Sequence, residues 1–112
     1  MNLTHHGGHT GVTGSCHELH YSSSRSLLVD CGLFQGKDAA RHPTLEIEFA
    51  VNPITAVVLT HAHIDHVGRL PYLLAAGYGG PLICSRPTAR LLPLVIEDAL
   101  KLGFTRKRWL ID

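Results

Sequence analysis

Within six residues, His61, His63, Asp65 and His66 bring together three imidazoles and a carboxylate. All four are metal-ligand types, and the set holds no thiolate, which suits zinc. Residues two apart on an extended backbone point the same way. His61 and His63 are therefore expected to reach one ion together. Asp65 and His66 are adjacent, so their side chains are expected to diverge and to serve a second ion nearby. Two ions a few ångströms apart would lower the pKa of a water held between them and polarise the bond to be hydrolysed. The start of a helix just beyond would favour ionised Asp65. A solvated loop explains one isolated histidine. It explains less well three histidines and an aspartate that directly follow an apolar run.

That run is Ala56-Val57-Val58-Leu59, short, continuous and rich in β-branched residues, the pattern of a central strand buried on both faces. It ends in the cluster, at the kind of strand-to-helix loop where open α/β sheets build their sites. Pro71 near the start and Gly77 past the end bracket a short helix over 68–77. Pro81 to Cys84 reads as another buried strand. Ser85 is placed to cap a helix entered through Pro87, with Leu91, Leu94, Val95, Asp98 and Leu102 at helical spacing. Pro93 should kink or split that helix, and Gly103 should stop it. Upstream, 1–6 alternates as a first strand before the flexible glycine loop 7–11. Cys16–Tyr21 and Ser26–Val29 form a hairpin across a polar Ser22–Arg25 turn. Residues 31–44 read as a loop, 45–49 as a strand with one wet face, and Asn52-Pro53 as a turn. The order points to a mixed α/β layered fold.

The chain has 112 residues, 45% of them hydrophobic, enough for one small domain or part of a larger one. Its formal net charge of +1 gives no footprint for nucleic acid or an anionic membrane, but leaves RNA open as a substrate. The apolar stretches are short for a membrane span, and 1–6 does not read as a secretory signal. A cytoplasmic location and no membrane partner are the expectation. Cys16, Cys31 and Cys84 are odd in number and are expected to be reduced and packed as small apolar residues. Nine histidines are an excess. His5, His6 and His9 read best as exposed polar residues near the N-terminus. His17 and His20 fall on opposite faces of one strand and look unrelated to it, and His42 is assigned nothing. Arg106-Lys107-Arg108 could touch phosphates but reads better as a solvated helix end. Ser15 and Ser85 have no evident base partner, so a nucleophilic serine is not supported.

The segment Thr60-His61-Ala62-His63-Ile64-Asp65-His66 resembles the T-H-x-H-x-D-H signature of the metallo-β-lactamase superfamily. Leu28-Val29-Asp30-Cys31-Gly32-Leu33-Phe34-Gln35-Gly36 resembles the strand-ending aspartate motif of its β-CASP branch, and Val12-Thr13-Gly14-Ser15-Cys16 that branch's first active-site loop. The resemblance spans most of the chain and is to bacterial RNA-processing nucleases of the branch. It implies an αββα sandwich, of which residues 1–112 would be a partial domain, about the first half. It implies two zinc ions, with His61 and His63 on the first and Asp65 and His66 on the second. Asp65 would also help to orient the attacking water, and Asp30 would lie beneath the ligands and orient them by hydrogen bonds.

The implied activity is hydrolysis of RNA phosphodiester bonds. Two other readings stand beside it: a hydrolase of a small thioester, lactone or lactam, and an inactive truncated remnant. The family's later ligands, a histidine, a bridging aspartate and a final histidine, are not found in this sequence. A half sandwich would also leave apolar sheet surface uncovered, so self-association is expected.

Overall fold

The computed structural model describes residues 1–8, 13–36, 39 and 46–101, the last three as backbone alone. Five strands form one sheet in the order β1 (Asn2–Gly7), β2 (Cys16–His20), β3 (Ser26–Val29), β4 (Ile54–Val58) and β5 (Leu82–Ile83). The first three are antiparallel, and β3, β4 and β5 are parallel. Helices α1 (Ile64–Val67) and α2 (Leu70–Ala75) follow β4, and α3 (Arg86–Lys101) follows β5. The parallel half thus carries the strand–helix–strand order that the sequence pattern implies, an α/β fold.

Strand alternation sorts the side chains onto two unlike faces. One face presents Cys16, Leu28 and Val57, all fully buried in one cluster with Val67, Leu70, Leu73 and Ile96 from the helices. Cys16 and Cys31 are free thiols inside this core, as expected. Their mutual hydrogen bond, and then burial, push the Cys16 thiol up, so it is inert at neutral pH. On the opposite face, Leu3, Leu19 and Leu27 lie side by side across β1, β2 and β3, and Val29, Val58 and Ile83 across β3, β4 and β5. None of these six is fully buried, and Leu3 and Ile83 are about half exposed.

The hairpin, the Asn52-Pro53 turn and the central position of β4 match the sequence reading. So does α2, with Pro71 in its first turn and Gly77 at φ +107° beyond its end. Three readings need correction. Residues 46–50 form no strand. Ile47 and Phe49 are half buried against the core between exposed Glu46 and Glu48, so the alternation marks a wet and a dry side without a ladder partner. Residues 82 and 83 are a strand but an exposed one, since β5 is the edge of the sheet.

Pro93 does not break α3. It removes one hydrogen bond, to the Ala89 carbonyl, and both residues are exposed, so water can satisfy that carbonyl. Leu91 and Leu94 face out, and Thr88, Leu92, Val95 and Ile96 form the packed side. Ser85 caps α3 as expected, its Oγ accepting the Thr88 N–H at 3.3 Å. Leu102, Gly103 and Arg106 to Arg108 lie outside the described residues, as do His9 and His42. Among the described residues no helix is long and apolar enough to cross a membrane.

Candidate metal centre

The centre is assembled at the carboxyl ends of the paired strands β3 and β4. Asp30 follows β3 directly, with φ +63° and 2% exposure. A left-handed backbone is uncommon for a residue with a side chain, but aspartate tolerates it better than most. The Asp30 N–H holds the Val58 carbonyl at 2.9 Å, which ties the turn to the end of β4. The carboxylate then accepts three hydrogen bonds. Oδ1 takes the Thr60 N–H at 2.8 Å, and Oδ2 takes the Thr60 hydroxyl at 2.7 Å and His66 Nδ1 at 2.7 Å.

These bonds decide which nitrogen of each imidazole is free. His66 donates from Nδ1 to Asp30, so its lone pair is on Nε2. The Thr60 proton is committed to Asp30, so the Thr60 oxygen accepts from His61 Nδ1 at 3.0 Å, and the His61 lone pair is likewise on Nε2. Buried Asp30 therefore sets His66 directly and His61 through Thr60. Asp30 thus hydrogen-bonds one of the four expected ligands, His66, and the residue that precedes them, Thr60. The part played by Thr60 was missed from sequence. Its only signal was its place at the head of the histidine motif.

His61 and His63 rings meet edge to face with centroids 4.8 Å apart, and the His61 and His66 rings lie closer, at 3.8 Å. His63 precedes α1, and Asp65 lies in its first turn. Asp65 and His66 do not diverge: Asp65 Oδ2 is 3.6 Å from His66 Nε2. Asp30 holds the His66 ring from the other edge, so Nε2 is the edge that meets Asp65. His61 thus lies nearer His66 than His63, across the expected pairs. Two ligand atoms at about 2.1 Å from one zinc stand roughly 3.4 Å apart in a tetrahedral shell, close to the Asp65–His66 separation.

The donor set and the freed Nε2 atoms fit zinc. Among the described residues, however, no three His, Cys, Asp or Glu side chains form a group able to hold a metal ion. Each pair would need further ligands to complete a shell.

Backbone bonds hold the loop in place. Ser15 N–H donates to the Asp65 carbonyl at 3.0 Å, Cys31 N–H to His66 at 2.8 Å, and Leu33 N–H to Ile64 at 3.0 Å. Gly32 N–H returns to the Ser15 carbonyl at 2.9 Å. A Cβ on Gly32 would overlap the Asp65 carbonyl, so this crossing of two backbones requires glycine. Arg69, 5% exposed, stacks its guanidinium 4.6 Å from the Phe34 ring centroid and donates from Nε to the Gly32 carbonyl. Gly32 was read from sequence only as a loop marker, and Arg69 was not singled out at all.

His5 and His6 are engaged within the sheet. His5 meets His17 across the strands, while His6 binds Glu18 and stacks on Phe49.

Comparison with known proteins agrees with this geometry. The family model described as the metallo-beta-lactamase superfamily matches residues 9–104. Ribonuclease TTHA0252 of Thermus thermophilus is 48% identical over 103 residues, covering 90% of this chain and 23% of that protein. Transcription termination factor FttA of Methanothermobacter thermautotrophicus is 43% identical over 104 residues, 90% of this chain and 16% of its own length. Cleavage and polyadenylation specificity factor subunit 3-II of Arabidopsis thaliana is 36% identical over 92 residues, 76% of this chain and 15% of its own length. The chain therefore spans a quarter or less of these relatives. With the Asp30–Thr60–His66 network and the family match together, the chain belongs to the metallo-β-lactamase superfamily and to its β-CASP branch.

Proposed function

We propose that this chain contributes to a zinc-dependent nuclease that hydrolyses phosphodiester bonds in RNA. The observation that carries the reading is the Asp30 carboxylate, bonded to both Thr60 and His66, which leaves Nε2 of His61 and His66 free for metal. Names of similar proteins, a ribonuclease and a cleavage and polyadenylation factor subunit, point to RNA as the substrate class.

His61 and His63 would hold one ion, and Asp65 and His66 the other. Bound zinc would supply an activated water and a polarised phosphate. Asp30 and Thr60 would keep the imidazoles in the ligating tautomer, and Asp65 would help to orient the attacking water. The remaining ligands come from outside these four side chains, in keeping with residues 1–112 being a partial domain of the sandwich. A cytoplasmic location accompanies this reading.

The test is zinc per chain by elemental analysis, with a His61→Ala/His63→Ala variant alongside. Close to two zincs per chain, lost in the variant, is the expected result once the completing ligands are present. RNA cleavage that disappears in the same variant, with no turnover of a small thioester, identifies the substrate class. Thioester turnover without RNA cleavage would instead favour the small-molecule hydrolase.

A further inference from the structure

Two cysteines meet beneath the ligand loop. In the β2–β3 ladder His17 stands opposite Val29. Asp30, at φ +63°, then inserts one residue on the β3 side, and the Gly32 N–H donates to the Ser15 carbonyl at 2.9 Å. The register slips by one, so that Ser15 meets Gly32 and Cys16 meets Cys31. A pair beside a hydrogen-bonded one has its Cα atoms about 4.5 Å apart, inside the roughly 4.4–6.8 Å that a disulfide spans. Both cysteines are free, fully buried and in one core cluster, and the Cys16 S–H donates to the Cys31 sulfur. Arg69 lies alongside. Its backbone N–H donates to the Cys31 carbonyl, its Nε to the Gly32 carbonyl, and its charge reaches both sulfurs. Its buried Nη2 has no hydrogen-bond partner among the described residues, so a donor is left over for an anionic sulfur. The same two segments carry the ligand loop: the Ser15 N–H holds the Asp65 carbonyl and the Cys31 N–H the His66 carbonyl.

We propose that Cys16 and Cys31 are an oxidisable pair whose disulfide, formed by a hydroperoxide, locks together the two segments that support the ligand loop. The Cys31 thiolate attacks one peroxide oxygen, the O–O bond breaks, and the proton shed by Cys31 leaves with the other oxygen as water. Cys16, which gives up its proton only to the departing oxygen, then attacks the sulfenic sulfur of Cys31. The S–O bond breaks and a second water leaves. Two electrons pass from the sulfurs to the peroxide, and a dithiol reductant restores the thiols. Both sulfurs are shielded from solvent, so the peroxide enters through local opening, and half-buried Cys84 reacts first. In a reducing environment the pair rests as thiols, and the disulfide is the transient state. Once closed, the bond removes the local opening that parts the two segments. It forms with or without ions in the loop, so it is independent of the nuclease reading.

The test uses the Cys84→Ser chain, treated with hydrogen peroxide in native buffer, alkylated and mapped without reduction. Trypsin cuts after Arg25, between the two cysteines, so the disulfide joins peptide 1–25 to peptide 26–37. The linked peptide should appear, revert with dithiothreitol, and be absent when Cys16→Ala is added. Far-UV circular dichroism confirms that the alanine variant keeps its fold. Wild type treated in parallel reports, by oxidation of Cys84, that the oxidant acted. Hydrogen exchange then compares the reduced and oxidised chains, and the Ser15 and Cys31 amides should exchange about 10-fold more slowly after oxidation. Cys16 and Cys31 both alkylated after Cys84 has oxidised in wild type overturns the proposal. So does a sulfinic acid on Cys31 in place of the bond, a linkage that forms only in urea, or exchange at the two amides that oxidation leaves unchanged.

Discussion

His66 Nδ1 donates a 2.7 Å hydrogen bond to Oδ2 of Asp30, a carboxylate only 2% exposed and 36 residues away in sequence. The bond joins the end of β3 to the first turn after β4 and fixes the orientation of the His66 ring. Removing Asp30 should therefore act on metal binding, although Asp30 itself binds no metal. Asp30→Ala is expected to lower zinc affinity by about 10- to 100-fold, the usual effect of losing a group that orients a ligating histidine. A competition titration against a chromophoric chelator measures it. Unaltered affinity would mean that His66 holds its orientation without Asp30.

Thr60→Val separates the direct from the relayed part of this network. Valine keeps the shape and the backbone N–H bond to Asp30 Oδ1 but loses the hydroxyl between Asp30 and His61. The His66 bond survives, so the loss of zinc affinity should be smaller than in Asp30→Ala. A loss as large as that of Asp30→Ala would show that the Thr60 hydroxyl dominates the network.

Gly32→Ala should be strongly destabilising for a steric reason. The added methyl would occupy the position of the Asp65 carbonyl, where the neighbour is backbone and cannot rotate away. Forced overpacking of this kind costs about 1–3 kcal/mol, and more when backbone must move. Urea denaturation reads this as a lower midpoint. An unchanged midpoint would mean that the 30–33 segment is not clamped to the ligand loop.

Glu18 makes stability depend on acid pH. Burial alone would raise its pKa, but the hydrogen bonds from Ser26 and His6 and the positive field of His20 and His6 outweigh it and hold the carboxyl below its usual value of 4.5. A carboxylate with a depressed folded pKa stabilises fully above its unfolded pKa and loses that contribution as pH falls through the folded value. Wild type should lose stability below about pH 4.5, and Glu18→Gln should be flatter across the same window. Thermal melts from pH 6 to pH 3 test this. Parallel curves for the two proteins would remove Glu18 as the cause.

The uncovered sheet face should drive association. Leu3 is 54% exposed and Ile83 52%, and they flank half-buried Leu19, Leu27, Val29 and Val58 on one side of the sheet. Contiguous apolar surface of this kind seeks a cover. Sedimentation velocity should show concentration-dependent self-association, reduced in Leu3→Lys/Ile83→Lys. A monodisperse monomer at all concentrations would contradict it.

Much of the candidate centre was legible in the chain because its residues are local. His61, His63, Asp65 and His66 sit within one turn of loop and helix, so residue types and spacing single them out as candidates. The pairing of Asp65 with His66 was not readable, because Asp30, distant in sequence, decides which edge of the His66 ring faces Asp65. The alternation over 46–49 misled because it reports wet and dry sides and is silent on whether a partner strand lies alongside. Pro93 does not split α3, and water reaches the carbonyl whose hydrogen bond it removes.

The sequence by itself determined the α/β class, the hairpin, the strand feeding the ligand loop, the helix boundary residues Pro71, Gly77 and Ser85, and the four candidate ligands. Those features depend on periodicity, backbone chemistry and close spacing, which act over a few residues. Only the tertiary structure decided that Thr60 links Asp30 to His61, that Gly32 must lack a side chain, and that His5 faces His17. Each of these rests on two segments brought together by strand pairing, and the register of that pairing is set by the whole sheet.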